Sequence, residues 1–385
     1  MMAEASLTQF FESARSQRTH GGMARYGLPD YGTPGWLQHL AESENLLQEY
    51  LAGNVSKRTL REALTRSDYP VLLGDSINRR LLAGYQTYPS TYQTWCKIDT
   101  TVKDFRTLHL KYKNTGGYLT KVDEQQEYPE AAKPAEGEYT YALGKYGEII
   151  SFSWEMLVND DLRAFTSTPM ELGEDARRTV ENFATKLIAD STGPHSTFFT
   201  TERKNRLTDA LTFDGLKKAW NLFPKLRSPS GQGINNRPAI LAVAPSLELQ
   251  AQELLQADQV WDINQTISST KNTGNRLSTQ NPFKALQLVL LDELPNVATT
   301  GTVGETSWFL LSDPNLSRGA FELGFLQGFG DNPIVIQQKS DAQTIGGGDA
   351  INGSFYNDSF NYKCVHAFGG AQKDHRFAVG SDGTA

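Results

Sequence analysis

Histidine and cysteine are the side chains that most often carry proton transfer, nucleophilic attack and soft-metal binding. The histidines stand at His20, His39, His109, His195, His366 and His375, and the cysteines at Cys96 and Cys364. No two have the short spacing with which one hairpin or helix holds zinc, and two cysteines cannot build a thiolate-rich site. Asp374 and His375 in "KDHR" offer a carboxylate beside an imidazole. Adjacent residues of a strand point to opposite faces, so a solvated strand is expected there and not a dyad. The carboxylates of "VNDDL" (158–162) suit a capped or solvated helix end better than a cation site. The run "GGG" (346–348) lacks the Lys-Ser/Thr of a phosphate loop and the spacing of a dinucleotide fingerprint, and G-x-S-x-G does not occur. "ERKNR" (202–206) is a small basic cluster. The reading is therefore no catalytic residue, no metal and no cofactor. The chain is expected not to be an enzyme.

Composition points the same way. The chain has 385 residues, 38% of them hydrophobic, which suffices for a core and suggests two or three lobes. Its 44 acids outnumber its 37 lysines and arginines, so it lacks the basic balance of a dedicated nucleic-acid binder. No apolar run approaches the ~20 residues that cross a bilayer, so no membrane partner is expected. The first residues, "MMAEASLTQFFESARSQRTHGG", contain no apolar signal core. Two cysteines read as reduced thiols of a cytosolic product.

Residues 1–35 are polar and punctuated by Gly and Pro, an arm that orders only against something else. Residues 36–66 predict two short helices broken near Gly53-Asn54, and 72–86 another helix. Strands are predicted over 105–113 and 139–143, and a short helix over 153–165. The clearest signal is a helix over 169–191, with Thr168 as its cap, Pro169 at the first position and Glu171 completing a capping box. Leu172, Ala176, Val180, Phe183 and Leu187 form its apolar stripe, and Gly193-Pro194 closes it. Beyond residue 205 the pattern is mixed. Helices are predicted at 213–223 and, capped by Ser246, at 246–256. Strands are predicted at 239–245, 286–294, 307–313, 320–326 and 333–339. Loops fall at 264–280 and 340–354. The end, "FNYKCVHAFGGAQKDHRFAV", predicts two strands joined at Gly369-Gly370.

The stretch between the first two strands is unusual. From Tyr118 to Glu148 it carries seven acids, three lysines and two prolines, with little to bury. Ordering a residue costs about 1–2 kcal/mol of backbone entropy, so about thirty of them cost roughly 30–60 kcal/mol. An isolated hairpin is marginal in water, so such a ribbon makes sense when neighbouring copies cover it. Tyr118, Lys121, Glu127, Tyr128, Glu130, Lys133 and Tyr139 are the candidate inter-subunit contacts, combining charge with amphipathic rings.

Several stretches together resemble a known family. "SDYPVLLGDSINRRLLAGYQTYPSTYQTWCKIDTTVKDFRTLHL" is similar to the segment that opens Mu-type phage major head proteins. "YGEIISFSWEMLVNDDLRAFTSTPMELGEDARRTVENFATKLI" resembles their strand–helix–spine segment, and "FELGFLQGFGDNPIVIQQ" and "YKCVHAFGGAQKDHRFAVGS" resemble their closing strands. The resemblance spans roughly 66–380 in the family's order. At the place of the family's His-rich segment this chain reads "HSTFFTTERKNRLTD" instead.

The resemblance implies a tailed-phage major capsid protein with the α+β shell fold of the Hong Kong 97 type. That fold would comprise an N-terminal arm (1–75), an extended loop (114–144), an axial domain with a central mixed sheet (206–345) and a peripheral domain. The peripheral domain would take 76–113, 145–205 and the returning C-terminal strands (346–385). Thr168, Pro169, Glu171, Leu172, Val180, Phe183 and Leu187 would build its spine helix. The implied partners are further copies in hexamers and pentamers, portal and scaffolding or decoration proteins, and enclosed double-stranded DNA bound without sequence preference. The shell would assemble in the bacterial cytoplasm and reside in the virion. The alternative in the same fold is an encapsulin-like compartment enclosing protein; from another class, a hydrolase around Asp374 and His375.

Overall fold

The computed structural model describes residues 68–113, 121–128, 136–153, 162–228, 231, 233–234, 236–261, 278–315, 319–328, 330–338, 356 and 359–384. The elements expected within 1–66 and 154–161, most of the 264–280 loop and the Gly-rich segment 340–354 lie outside them. In chain order the elements begin with α1 (Asp68–Thr87), α2 (Tyr92–Trp95), β1 (Lys97–Val102), β2 (Leu108–Lys113), β3 (Glu136–Tyr141), β4 (Gly144–Ser153) and α3 (Leu162–Ile188). Short strands β5 (Ala189–Asp190), β6 (Gly193–Pro194) and β7 (Arg206–Leu207) precede α4 (Phe213–Leu222), β8 (Pro238–Val243) and α5 (Glu248–Gln256). Then come β9 (Gln259–Trp261), β10 (Ser278–Gln280), β11 (Gln287–Leu290), α6 (Leu294–Val297), α7 (Val303–Thr306) and β12 (Trp308–Ser312). The last are β13 (Phe321–Leu326), β14 (Ile334–Gln337), β15 (Ser359–Gln372) and β16 (Ala378–Ser381). The architecture is α+β.

The chain divides into two compact units. The first takes the described residues up to Pro89, Lys145–Arg178 and Leu326–Ala367. Ile77, Leu81 and Tyr85 are buried along one face of α1 at helical spacing, and Ile77 packs with Phe152 of β4 and Tyr362 of β15. β14 runs antiparallel to β15, from Ile334 opposite Val365 to Gln337 opposite Tyr362. The helices α1 and α3 meet through a reciprocal pair of glycines. A Cβ at Gly84 would overlap the Met170 carbonyl, and one at Gly173 the Leu81 carbonyl. Arg177 follows one turn later, 3.2 Å from Asp331 and 4.6 Å above the Tyr85 ring. The Tyr85 hydroxyl donates to Asp331 at 3.3 Å, and His366 stands edge-on to that ring at 5.8 Å. Burial lowers the His366 pKa to about 4; the Asp331 carboxylate pulls the other way, and Arg177 lowers it further.

The second unit takes Ser90–Gly144, Thr179–Phe325 and Phe368–Ala385. Its centre is a mixed sheet in the order β11-β8-β12-β16-β7. β11 is parallel to β8, β12 is antiparallel to both β8 and β16, and β16 is parallel to β7. All residues of β12 are buried, as befits a strand covered on both faces. Ile240, Ala242, Phe309, Leu311 and Ala378 pack with Val180, Ala184 and Ile188 of α3, whereas Leu241, Val243, Trp308, Leu310 and Val379 pack with α4 and α5. A second set of strands holds β1 beside β13, with β13 antiparallel to residues 368–372 of β15.

Three local expectations give way to tertiary structure. α3 starts at Leu162, so Thr168 is not its cap and Pro169 lies inside it. Proline removes one N–H only, and the turns around it are held against α1 through Met170 and Gly173. Glycines 369 and 370 make no turn: β15 runs through them, because their missing Cβ atoms leave room for neighbouring backbone. Ser246 does not cap α5; its hydroxyl donates to the Glu305 carbonyl, and a 3-10 turn (Pro245–Leu247) leads into the helix.

Two outcomes follow. Alanine is favoured over glycine in a helix interior by about 1 kcal/mol, but at Gly173 its methyl would drive two backbones apart, overpacking that costs typically ~1–3 kcal/mol or more. Gly173→Ala is expected to lower the denaturant midpoint, whereas Gly233→Ala, with nothing within 4 Å of its added Cβ, leaves it unchanged; a raised midpoint for Gly173→Ala would disprove the close crossing. For His366 the fold holds the ring neutral to about pH 4, against 6.5 for the ordinary side chain. Above pH 6.5 the contribution is fully present. As pH falls from 6.5 to 4, only the unfolded chain takes up the proton, so stability drops by up to roughly 3 kcal/mol. Denaturant titrations across this window should show a shallower pH slope for His366→Gln than for the wild type; equal slopes would exclude this assignment.

Candidate assembly site

β2 and β3 form an antiparallel ladder from Leu108 opposite Tyr141 to Lys113 opposite Glu136. The two ends of this ribbon differ in chemistry. At its root, strand alternation places Glu322 and Gly324 of β13 on one face, opposite Ala371 and Gly369 of β15. Small residues thus leave a floor beside one acid. The Tyr141 ring lies on Gly324, where a Cβ would come within 2.6 Å of Cε2, and the Ala142 carbonyl occupies the space a Cβ at Gly369 would need. The Tyr139 hydroxyl donates to Glu322 Oε2 at 3.0 Å, and Lys373 Nζ donates to the same oxygen at 2.8 Å. Lys373 also stands 5.2 Å above the Tyr139 ring, and both Glu322 and Lys373 side chains are buried. Burial first, then the Glu322 carboxylate, raise the phenol pKa of Tyr139, and the same causes act on Tyr141. Both phenols stay protonated, so Tyr139 remains a donor.

The described part of the tip, 121–128, makes a tight turn. Gln126 N–H donates to the Asp123 carbonyl at 3.1 Å, and Gln125 adopts a left-handed conformation at φ 68°. Lys121 pairs with Asp123 at 3.2 Å, while Glu124, Glu127 and Tyr128 are exposed, Tyr128 to 86%. Of the candidate contacts, Lys121, Glu127 and Tyr128 therefore sit on an open turn and Tyr139 is committed to its own unit. Tyr118, Glu130 and Lys133 lie outside the described residues.

The spine candidates spread around α3. Pro169 and Val180 are buried, Thr168, Leu172, Phe183 and Leu187 are half-buried, and Glu171 is exposed. Phe183 meets Phe368 edge-on at 5.4 Å. The wholly buried line is instead Gly173, Arg177, Val180, Glu181, Ala184, Thr185 and Ile188. It includes charges because each finds partners. Glu181 accepts from the backbone N–H groups of Thr91, at 3.1 Å, and Tyr92, at 3.4 Å, and from the Thr91 hydroxyl. A carboxylate there suits the N-terminus of α2, which carries the buried Tyr92 and Trp95.

The catalytic alternative does not survive. Asp374 is buried, not on a solvated strand, and grips Arg376 with two bonds of 2.8 and 2.7 Å. A lone acid buried without a partner would be costly, so the turn brings the arginine to it. Its carboxylate also accepts the Arg376 N–H at 3.1 Å, leaving His375 unserved. Among the described residues no His, Cys, Asp and Glu group could hold a metal, and no helix is long and apolar enough to cross a membrane. Both cysteines are free and buried; burial, then Glu148, push the Cys364 thiol up to about 11.

The profile of the phage capsid protein family matches residues 137–381, from the ribbon root through the last strand. This chain belongs to the phage capsid protein family. The capsid protein is a structural component of the virion and not an enzyme. Among solved structures it is similar to the capsid of the cyanophage P-SCSP1u, at 10% identity and a TM-score of 0.46, covering 76% of this chain and 88% of that one. It is also similar to a chain of Gordonia phage Cozz (14% identity, TM-score 0.43, 77% and 87% covered). A virus-like particle from Pyrococcus furiosus is similar at 10% identity and a TM-score of 0.42, covering 80% of this chain and 98% of that one. No curated protein matches the sequence.

Sequence reasoning missed Glu322, Gly324, Gly369 and Lys373 as the ribbon's seat. The signal was there in "FELG", where alternation puts an acid and a glycine on one face, and in a glycine pair inside an apolar run. Lys373→Met leaves Glu322 buried with a neutral partner only and should cost about 3–5 kcal/mol in chemical denaturation. Adding Glu322→Met should recover most of that loss, since apolar replacement of a whole buried pair is close to neutral or stabilising; a double variant no better than the single would show that the pair is not coupled.

Proposed function

We propose that this capsid protein is the major head subunit of a tailed phage. It closes as hexamers and pentamers into an icosahedral shell around double-stranded DNA, with the Hong Kong 97-type division into arm (1–75), extended loop (114–144), peripheral domain (76–113, 145–205, 346–385) and axial domain (206–345). The observation that carries this reading is the contrast between the two ends of the ribbon. Its root is packed with buried partners, and its tip presents Glu124, Glu127 and an almost fully exposed Tyr128. A tip so poor in internal contacts recovers its ordering entropy from neighbours. The long α3 serves as the spine, and the mixed sheet on β8 and β12 serves as the axial core. Each contact between copies is modest, and closure multiplies them. The chain's charge of −7 suits a container whose wall does not hold phosphate tightly. Portal and scaffolding or decoration proteins complete the partners.

The test shortens the ribbon. Lys113 and Glu136 face each other in the ladder, so replacing 114–135 by Asn-Gly joins them through a two-residue turn that antiparallel strands accept. The variant should unfold at the wild-type midpoint yet remain as free subunits or capsomers by light scattering and negative-stain microscopy. Closed particles of normal size and yield from this variant would refute the proposal.

A further inference from the structure

Between Asp214 and Glu248 the chain has no acidic residue and five cations, Lys217, Lys218, Lys225, Arg227 and Arg237. All five are exposed. The fold gathers them. α4 buries Gly215, Leu216 and Ala219, which turns Lys217 and Lys218 outward. The helix runs into a 3-10 turn (Phe223–Lys225), after which Arg227 bridges to Gly233 and donates to the Gly231 carbonyl at 3.2 Å. The returning strand is tied down by Asn236, whose amide donates to the Phe223 carbonyl at 3.0 Å and to the Arg376 carbonyl at 2.8 Å. Arg237 therefore follows a residue tied to the end of α4, where the helix dipole also favours positive charge. Lys218 pairs with Asp209; among the described residues no carboxylate pairs with Lys217, Lys225, Arg227 or Arg237.

The ribbon tip is the complementary surface. Asp123 is met by Lys121, but among the described residues Glu124 and Glu127 have no cationic partner, and Tyr128 stands open beside them. We infer that the basic face at the end of α4 receives the acidic ribbon tip of a second copy. The inference rests on the shell reading and adds the receiving surface to it. Every copy supplies one tip and one basic face, so the charges balance whatever the number of subunits. Such exposed pairs contribute little each, about 0–1 kcal/mol. Their effect is to steer encounter and fix register, with Tyr128 as the aromatic surface over which an arginine can stack.

A charge exchange tests it. Glu124→Lys with Glu127→Lys, and separately Lys225→Glu with Arg227→Glu, should each lower particle yield at low salt by about tenfold or more, the equivalent of ~1.4 kcal/mol. The fourfold variant should recover yield to near wild type. Unfolding midpoints should stay unchanged, since exposed substitutions move stability by only about ±0.5 kcal/mol. A second measurement is a Glu127→Cys, Arg227→Cys variant, which should form intermolecular disulfides in particles. No recovery in the fourfold variant, or no such disulfide, overturns the inference. So does a Lys225→Glu, Arg227→Glu variant that assembles normally while its capsomers lose affinity for duplex DNA, which would assign the face to phosphate. A wild type that forms no particles counts against the shell reading instead.

Discussion

An acid buried beneath the ribbon, Glu322, governs how the ribbon leaves the subunit. It must be paired, because a carboxylate taken out of water without partners is costly, and it takes Lys373 from the end of β15 and Tyr139 from the ribbon itself. One residue thereby ties the ribbon to two strands of the underlying sheet. Its position works only because Gly324 and Gly369 have no side chains. Any Cβ there would lift Tyr141 and Ala142 off the sheet and pull Tyr139 away from its acceptor. The polar clamp supplies direction and the glycine floor supplies proximity.

The same combination recurs in α3. In the first unit, Gly84 and Gly173 let two helices approach at backbone distance, and Arg177 then finds Asp331 and the Tyr85 ring. In the second unit, Glu181 of the same helix closes the N-terminus of α2. These charges add little to net stability compared with apolar side chains of the same volume. What they add is registry, since each has one geometry in which its bonds are all made. A shell subunit needs that property more than most proteins, because an error in its shape is repeated in every copy.

The buried charges near the end of the chain are used in packing. Two acid–base pairs, Asp374 with Arg376 and Glu322 with Lys373, are committed to each other inside the fold. Among the described residues, Glu124 and Glu127 on the tip and Lys217, Lys225, Arg227 and Arg237 around α4 are exposed.

By itself the sequence determined the α+β class and most of the elements. Strands such as "AILAV" and "WFLL" are apolar enough to be buried whatever surrounds them, and the helical spacing of Leu216 and Ala219 sufficed for α4. The ribbon was legible as two alternating flanks around a stretch with nothing to bury. Where the notation of local signals competed with distant contacts, tertiary structure decided. Thr168, Pro169 and Glu171 spell a helix start, yet α3 begins at Leu162. Gly369-Gly370 spells a turn, yet β15 passes through. The buried face of α3 is offset from its apolar stripe because Arg177 and Glu181 are paired there by residues far away in sequence. A cap or turn signal is worth about 1 kcal/mol; close backbone packing and the satisfaction of a buried charge are each worth more, and neither can be read until the chain has brought the partners together.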